Sequence, residues 1–356
     1  MRAVALVSLV AVATVALHAL VAPATRAQSP AIPPVSAIVF QSTNADSQGT
    51  DIYLTTFDGT GWSRPQPVVR RSGKDAQPSL SPRSRWGVFY SWAGNADKSF
   101  DVWIADLTGP LPSPRLINLT RGVTRDGAHD RDVSWDPAGR LVYYQSTHDG
   151  GAPELYAQEV FSDDAESALI ASPRFCQLTR APRRSTRPVA AIVPTQPATF
   201  RRLAFNRNLN QDTGATEDRV WTADLTVDFG STVRCALSNE QMVRTRRRAW
   251  RPALSTDGSE VIYATTGSCG SQRNIGLYHL TRQHESAVIC RDGQDYAPDF
   301  SPDDQWVVWT FRVSSSDSRI YIAPRATAGD PATWQHVTEG FPGIHSQPHW
   351  GSWPPR

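Results

Sequence analysis

Pro298-Asp299-Phe300-Ser301-Pro302-Asp303-Asp304, followed by an alternating run whose aromatic falls at Trp309 and then by Arg319-Ile320-Tyr321, is the stretch on which the fold turns. Its first part, an apolar residue leading into a Ser-Pro turn, returns about every fifty residues. It reads Pro78-Ser79-Leu80-Ser81-Pro82, Val133-Ser134-Trp135-Asp136-Pro137 and Pro252-Ala253-Leu254-Ser255-Thr256, with a fainter copy from Pro188 and a truncated one at Pro348-His349-Trp350-Gly351. About seven residues beyond the turn Pro or Thr stand Phe89, Tyr144, Tyr263 and Trp309, with Phe40 and Phe205 in the matching places of the other copies. A second aromatic follows on the next strand, as Tyr53, Trp103, Tyr156, Trp221, Tyr278 and Tyr321. Repetition at this period, with alternation of period two and no helical periodicity after residue 27, predicts four-stranded antiparallel units.

Such a unit is apolar on both faces and must be covered by its neighbours. Before the first turn phrase the chain already supplies a strand at Ala37-Ile38-Val39-Phe40-Gln41-Ser42, whereas its last phrase, around Gln347 to Trp350, has no strand after it. The two ends therefore complete one unit. The prediction is an all-β, six-bladed β-propeller of four-stranded antiparallel blades, closed by pairing of the N- and C-terminal strands, over residues 37–356.

The Ser301-Pro302-Asp303-Asp304 phrase, its relatives and the Asp/Glu-x-Tyr/Trp motif of the next strand resemble the WD40-like repeats of the TolB-type β-propeller family, over nearly the whole chain after residue 36. The resemblance implies a propeller in the cell envelope with protein partners. With only about ten residues between residue 27 and the first strand, the α/β domain that precedes the propeller in TolB is not expected, and TolB's place in an envelope-spanning complex is not carried over.

Residues 1–27 read as a signal peptide: Met1-Arg2, an apolar run from Ala3 to Ala22, then Pro23-Ala24-Thr25-Arg26-Ala27 ahead of Gln28. Residues 28–36 are a short linker. The run is also long enough to anchor the chain uncleaved, a reading against which His18, Pro23 and the small-residue exit weigh. The chain is thus expected to be exported, periplasmic or extracellular, with no integral span after cleavage. Its four cysteines, Cys176, Cys235, Cys269 and Cys290, form an even set without C-x-x-C spacing, so disulfides are expected and Cys269 to Cys290, within one repeat, is favoured. A formal charge of +2 gives no argument for nucleic acid as a partner, and a monomer is expected.

Propellers present ligands at a mouth of their central channel. Three residues before the first residue of each phrase, a Pro or in one copy Val133, stand Asp75, Asp130, Ser185, Ala249, Asp295 and His345, and beside them lie Gln77, Asp132, Arg187, Arg251 and Gln347. Converging carboxylates with His345 would offer hard oxygen ligands for Ca²⁺ or Mn²⁺ or for sugar hydroxyls; equally, each Asp caps the turn of its own blade. Arginine is dense in two adjacent loops, Arg180, Arg183, Arg184 and Arg187, then Arg244, Arg246, Arg247, Arg248 and Arg251, with Trp250 among them. Guanidinium forks there fit a carboxylated glycan or other polyanion, or form a solvated rim, while Trp250 stacks on a sugar or fills a gap between blades.

No G-x-S-x-G, H-E-x-x-H or G-x-x-x-x-G-K-[ST] motif occurs. The expectation is a non-catalytic binding scaffold for an envelope protein or glycan, with Asp75, Asp130, Asp132, Arg187, Trp250, Arg251, Asp295 and His345 as binding candidates and no obligatory cofactor. The alternative is a propeller-type polysaccharide lyase or glycosidase acting on an acidic sugar polymer, drawing on His345, His349, His129 and Arg251.

Overall fold

The structure, a computed structural model, describes residues 30–33, 36–43, 49–163, 166–180, 184–208, 217–266, 272–291 and 293–353. The signal-peptide assignment and Arg183 lie outside them. The described chain is strands, turns and two short 3-10 turns, at Arg325–Thr327 and Pro331–Thr333.

In chain order the strands are β1 (Ser36–Thr43), β2 (Asp51–Phe57) and β3 (Gln66–Val69); β4 (Asp75–Leu80), β5 (Trp86–Ser91), β6 (Asp101–Asp106) and β7 (Arg115–Asn118); and β8 (Arg131–Trp135), β9 (Leu141–Ser146), β10 (Glu154–Phe161) and β11 (Leu169–Gln177). Next come β12 (Ser185–Ala191), β13 (Phe200–Asn208), β14 (Asp218–Phe229) and β15 (Val233–Met242), then β16 (Ala249–Leu254), β17 (Glu260–Thr266), β18 (Arg273–His279) and β19 (His284–Ile289). β20 (Gln294–Phe300), β21 (Trp306–Arg312), β22 (Ser318–Pro324), β23 (Gln335–His336) and β24 (Ile344–Ser352) complete the chain. Successive strands pair antiparallel within each group of four, and β24 pairs antiparallel with β1, setting Ile38 opposite Trp350. Single parallel bridges, Arg273 to Gln294 and Ser318 to Ile344, join the later groups.

The Ser-Pro phrase is a hairpin turn with a specific hydrogen-bond reason. In each clear copy the fourth residue donates its N–H to the first carbonyl, Ser84 to Ser81, Gly139 to Asp136, Gly258 to Ser255 and Asp304 to Ser301, at 2.8 to 2.9 Å. That fourth residue takes positive φ, from 51° at Ser84 to 85° at Gly139, which reverses the chain into the second strand. The serine Oγ then accepts the N–H that opens that strand: Trp86 on Ser81, Glu260 on Ser255 and Trp306 on Ser301. The Pro188 copy lacks this chemistry and crosses by a longer loop between Ala191 and Phe200.

Pleating sends alternate residues to opposite faces, and each face is covered by a different neighbour. On β9, Val142 and Tyr144 pack with Trp86, Val88 and Val102, whereas Leu141 and Tyr143 pack with Leu203 and Phe205. Further layers join Val220 to Tyr263, Ile262 to Trp309, Val308 to Phe40, and Val39 to Phe89. All six second-strand aromatics, Phe40, Phe89, Tyr144, Phe205, Tyr263 and Trp309, are at most 1% exposed; each such ring contributes roughly 1.5–3 kcal/mol of burial. In five groups the next strand's aromatic stands directly opposite, as Phe40 to Tyr53 and Trp309 to Tyr321. In the remaining group Tyr263 faces Gly276, where a Cβ would come within 2.7 Å of the Tyr263 ring, so glycine leaves room for the phenol.

A buried ion pair and a disulfide are among the ties that cross between groups. Arg201, 2% exposed at the side chain, donates from Nε to Asp136 Oδ1 at 2.7 Å and from Nη2 to Oδ2 at 3.2 Å, and Tyr143 Oη donates to the same carboxylate. The Cys176–Cys235 disulfide links the outer strands β11 and β15 across 59 residues of sequence. Cys290 is also disulfide-bonded, and Cys269, its favoured partner from the sequence, lies outside the described residues.

Arg201→Met strips a buried carboxylate of its cation and is expected to cost about 3–5 kcal/mol in denaturant unfolding, with the addition of Asp136→Asn, which removes the charge and keeps an acceptor for Tyr143 Oη, restoring most of the loss. Cys235→Ser releases a closed loop and is expected to lower stability by about 3–4 kcal/mol in denaturant unfolding under oxidising conditions.

Candidate functional site

The first strand of each group, β4, β8, β12, β16, β20 and β24, is broken at the same point. Registers jump between Ala76 and Ser79, Arg131 and Ser134, Thr186 and Val189, Trp250 and Ala253, and Tyr296 and Asp299; on β24, Ser346 and His349 bracket the skip. Each skipped pair is one residue at positive φ followed by proline, or by Val133 in β8. Proline has no N–H to give the ladder and disfavours the right-handed helical conformation in the residue before it, so a bulge is the local solution. The left-handed residues are Gln77, Asp132, Arg187, Arg251, Ala297 and Gln347, with φ between 51° and 57°. None is glycine, and such conformations cost roughly 1–3 kcal/mol each.

Neighbouring groups absorb part of that cost by receiving the displaced amides. Gln77 N–H donates to Gln41 Oε1 at 2.9 Å, Arg251 N–H to Asn206 Oδ1 at 2.9 Å and Gln347 N–H to Thr310 Oγ1 at 3.2 Å. Each acceptor directly follows the buried aromatic of the preceding group's second strand. The bulges line a cavity of about 170 Å³, whose wall draws on all six first strands through Gln77, Arg187, Arg251, Ala297 and Gln347, their following prolines and Val133.

The cavity has one strongly basic side. Arg251 Nη1 is buried with no hydrogen-bond partner, and its guanidinium sits 5.5 Å from the Tyr296 ring. Burial and the neighbouring Arg187 pull its pKa down. Arg187 Nη2 stands 3.5 Å from Asp132 Oδ1. Half-buried Lys74 is held below its ordinary pKa by burial and then by Arg131. Deeper in the wall, Asp299 accepts N–H groups from Phe300 and Trp350, at 2.9 and 3.2 Å, and burial pushes its pKa up to about 7. His349 Nδ1 accepts the Leu80 N–H at 3.2 Å, which leaves the proton on Nε2, 3.9 Å from Asp299 Oδ2; burial lowers this histidine to about 4.

The residues expected at the channel mouth divide into two sets. Asp132, Arg187 and Arg251 belong to the bulges around the cavity. Asp75, Asp130, Asp295 and His345 are buried at or near the start of their strands and bonded locally. Asp75 accepts from Arg71 at 2.6 Å, and Asp295 from Arg291 at 3.1 Å and from Trp309 Nε1 at 2.9 Å. Asp130 accepts from Thr124 at 2.8 Å, and burial raises it to about 6. His345 is held between Ser42 Oγ at Nδ1 and the Phe341 carbonyl at Nε2. Trp250 is half-buried beside the Arg248 and Arg273 guanidiniums, at 5.4 and 5.9 Å. His129 packs against Phe100. Among the described residues no three His, Cys, Asp or Glu side chains are grouped to hold a metal ion. Sequence reasoning did not single out Ala297, Asp299, Lys74 or Arg131; the x-Pro step itself was the signal for Ala297 and Asp299, which flank Pro298.

Asp299 ionises near 3.8 in an unfolded chain but only near 7 when folded, so the folded state binds this proton more tightly and stability falls as pH rises from about 4 through about 7. Asp299→Asn is expected to reduce the drop in melting temperature between pH 4 and pH 8 relative to the parent, as read by thermal melts at both pH values.

No family model and no curated protein matches the sequence. Solved structures match well. TolB from Acinetobacter baumannii superposes with a TM-score of 0.61 at 16% identity, over 89% of this chain and 66% of that one. A TolB-like protein from Agrobacterium tumefaciens gives 0.54 at 14%, over 90% and 99%. Kuenenia stuttgartiensis hydrazine synthase gives 0.56 at 12%, over 91% of this chain and 48% of that one. Together with the antiparallel four-stranded groups, these matches identify the fold of this chain as that of the TolB-type β-propellers.

Proposed function

We propose that the chain is an exported, non-catalytic binding scaffold, a closed six-bladed propeller that receives an envelope protein or glycan at the bulge-lined end of its channel. Closure is supported by the circuit of packing among first strands, β4 to β8, β12, β16, β20, β24 and back to β4, and by the pairing of β24 with β1. Export of a chain cleaved after residue 27 is supported by the apolar leader and by a disulfide, a bond that persists in oxidising compartments. No helix among the described residues is long and apolar enough to cross a membrane.

One observation carries the binding reading: six non-glycine residues hold left-handed backbone at the same point of their strands, and five of them line a single cavity. Strain repeated at every first strand turns side chains inward that a regular strand would leave in the ladder, and strain of this kind gathers at ligand sites. The lining mixes amides, guanidiniums and proline rings, which suits recognition.

Gln347→Trp places an indole at the cavity without touching the blade cores. Envelope extract passed over immobilised parent protein is expected to leave a bound protein or glycan that the Gln347→Trp protein, folded by circular dichroism, fails to retain. Equal retention by both proteins, or none by either, removes this reading.

A further inference from the structure

The basic side of the cavity specifies the chemistry of what enters it. We infer that Arg251 and Arg187 form a site for the single carboxylate of an organic acid whose carbon body lies between the channel prolines; this rests on the binding-scaffold reading and names its ligand class. Arg251 lines the cavity, and its Nη1 is a buried donor without an acceptor, closed even to water in the free protein; a turn of the guanidinium that brings this nitrogen to a ligand oxygen would remove a standing cost. Arg187 acts on Arg251, and Lys74 is in the field of Arg131, Arg251 and Arg187, with Asp132 as the carboxylate facing them, so positive charge is in excess beside the cavity. The Arg131 and Lys74 cations also lie over the Phe100 ring, at 5.3 and 6.0 Å, which holds them in place without neutralising them.

The rest of the wall decides between anions. Pro78, Pro188, Pro252, Pro298 and Pro348 line the cavity, and proline offers no N–H. A phosphate, polar on every side, would set some of its oxygens against pyrrolidine rings without donors, an uncompensated desolvation. A monocarboxylate has one polar end for the planar guanidinium and an apolar remainder for the prolines. At about 170 Å³ the cavity takes a body the size of one small ring. Asp132 occupies Arg187 in the free protein, so it acts as an internal competitor for that guanidinium.

Calorimetric titration of the purified protein at low ionic strength with benzoate, with uncharged benzamide and with inorganic phosphate tests the assignment. Benzoate is expected to bind saturably and at least about tenfold more tightly than either of the others. Arg251→Gln and Arg187→Gln are each expected to weaken benzoate by about tenfold, and Asp132→Asn to tighten it severalfold. Should Arg251→Gln fail to fold, the opposite signs at Arg187 and Asp132 still decide, since a structural role alone would not produce them. Equal binding of benzoate and benzamide, a preference for phosphate, no saturation at tens of millimolar, or affinity unchanged in the folded arginine variants each overturns the inference. If Gln347→Trp abolishes retention of envelope material while benzoate does not bind, the scaffold reading stands and the carboxylate assignment falls. Benzoate binding without retention of envelope material leaves the carboxylate site standing and removes the envelope partner.

Discussion

Each four-stranded group carries apolar side chains on both of its faces, and no group can cover either face by itself. Val142 and Tyr144 point to one neighbour while Leu141 and Tyr143 point to the other, so the sheet that carries them is a filling between two more. Fully buried aromatics stand at the centre of these layers, and their burial is worth far more than the polar ties at the edges. Turns and bulges are set by local chemistry within each group, and the stacking of sheets face to face brings the bulges together around one cavity.

Stacking also explains why the bulges occur where they do. The first strand of each group lies where neighbours converge, and an uninterrupted strand there would turn its alternate side chains only into the layers above and below. Breaking it at an x-Pro step frees two residues from the ladder and directs them toward the cavity, while a polar side chain of the preceding group takes the displaced N–H at Gln77, Arg251 and Gln347. Local strain and contact between groups are therefore one arrangement. Arg251 illustrates both sides of it: its backbone N–H is satisfied by Asn206, while the residue lines a proline-walled space and its buried Nη1 is left without an acceptor.

The polar residues at the starts of the first strands have a different task. Arg71 with Asp75 and Arg291 with Asp295 are the same device four residues apart, and in each the guanidinium also lies over aromatic rings, Trp103 at 4.6 Å and Phe311 at 3.8 Å. A carboxylate so placed fastens the loop from the preceding group to the core. His345 fills the corresponding place in the last strand with Ser42 and Phe341 as partners.

Sequence alone determined the strands, their grouping in fours and the aromatic columns, because these rest on alternation and on turn residues whose preferences are local. It also marked Asp132, Arg187 and Arg251 by their place beside the repeated phrase. Tertiary structure decided which polar residues are struts and which line the cavity: Asp130 and Asp132 are two positions apart, yet one is sealed against Thr124 and the other faces Arg187. It likewise revealed Cys176 joined to Cys235, whose closeness depends on how two separate sheets stack. Local pattern specifies the direction of a side chain within its own sheet, but its partners come from sheets fifty or more residues away, and only their packing brings those groups within reach.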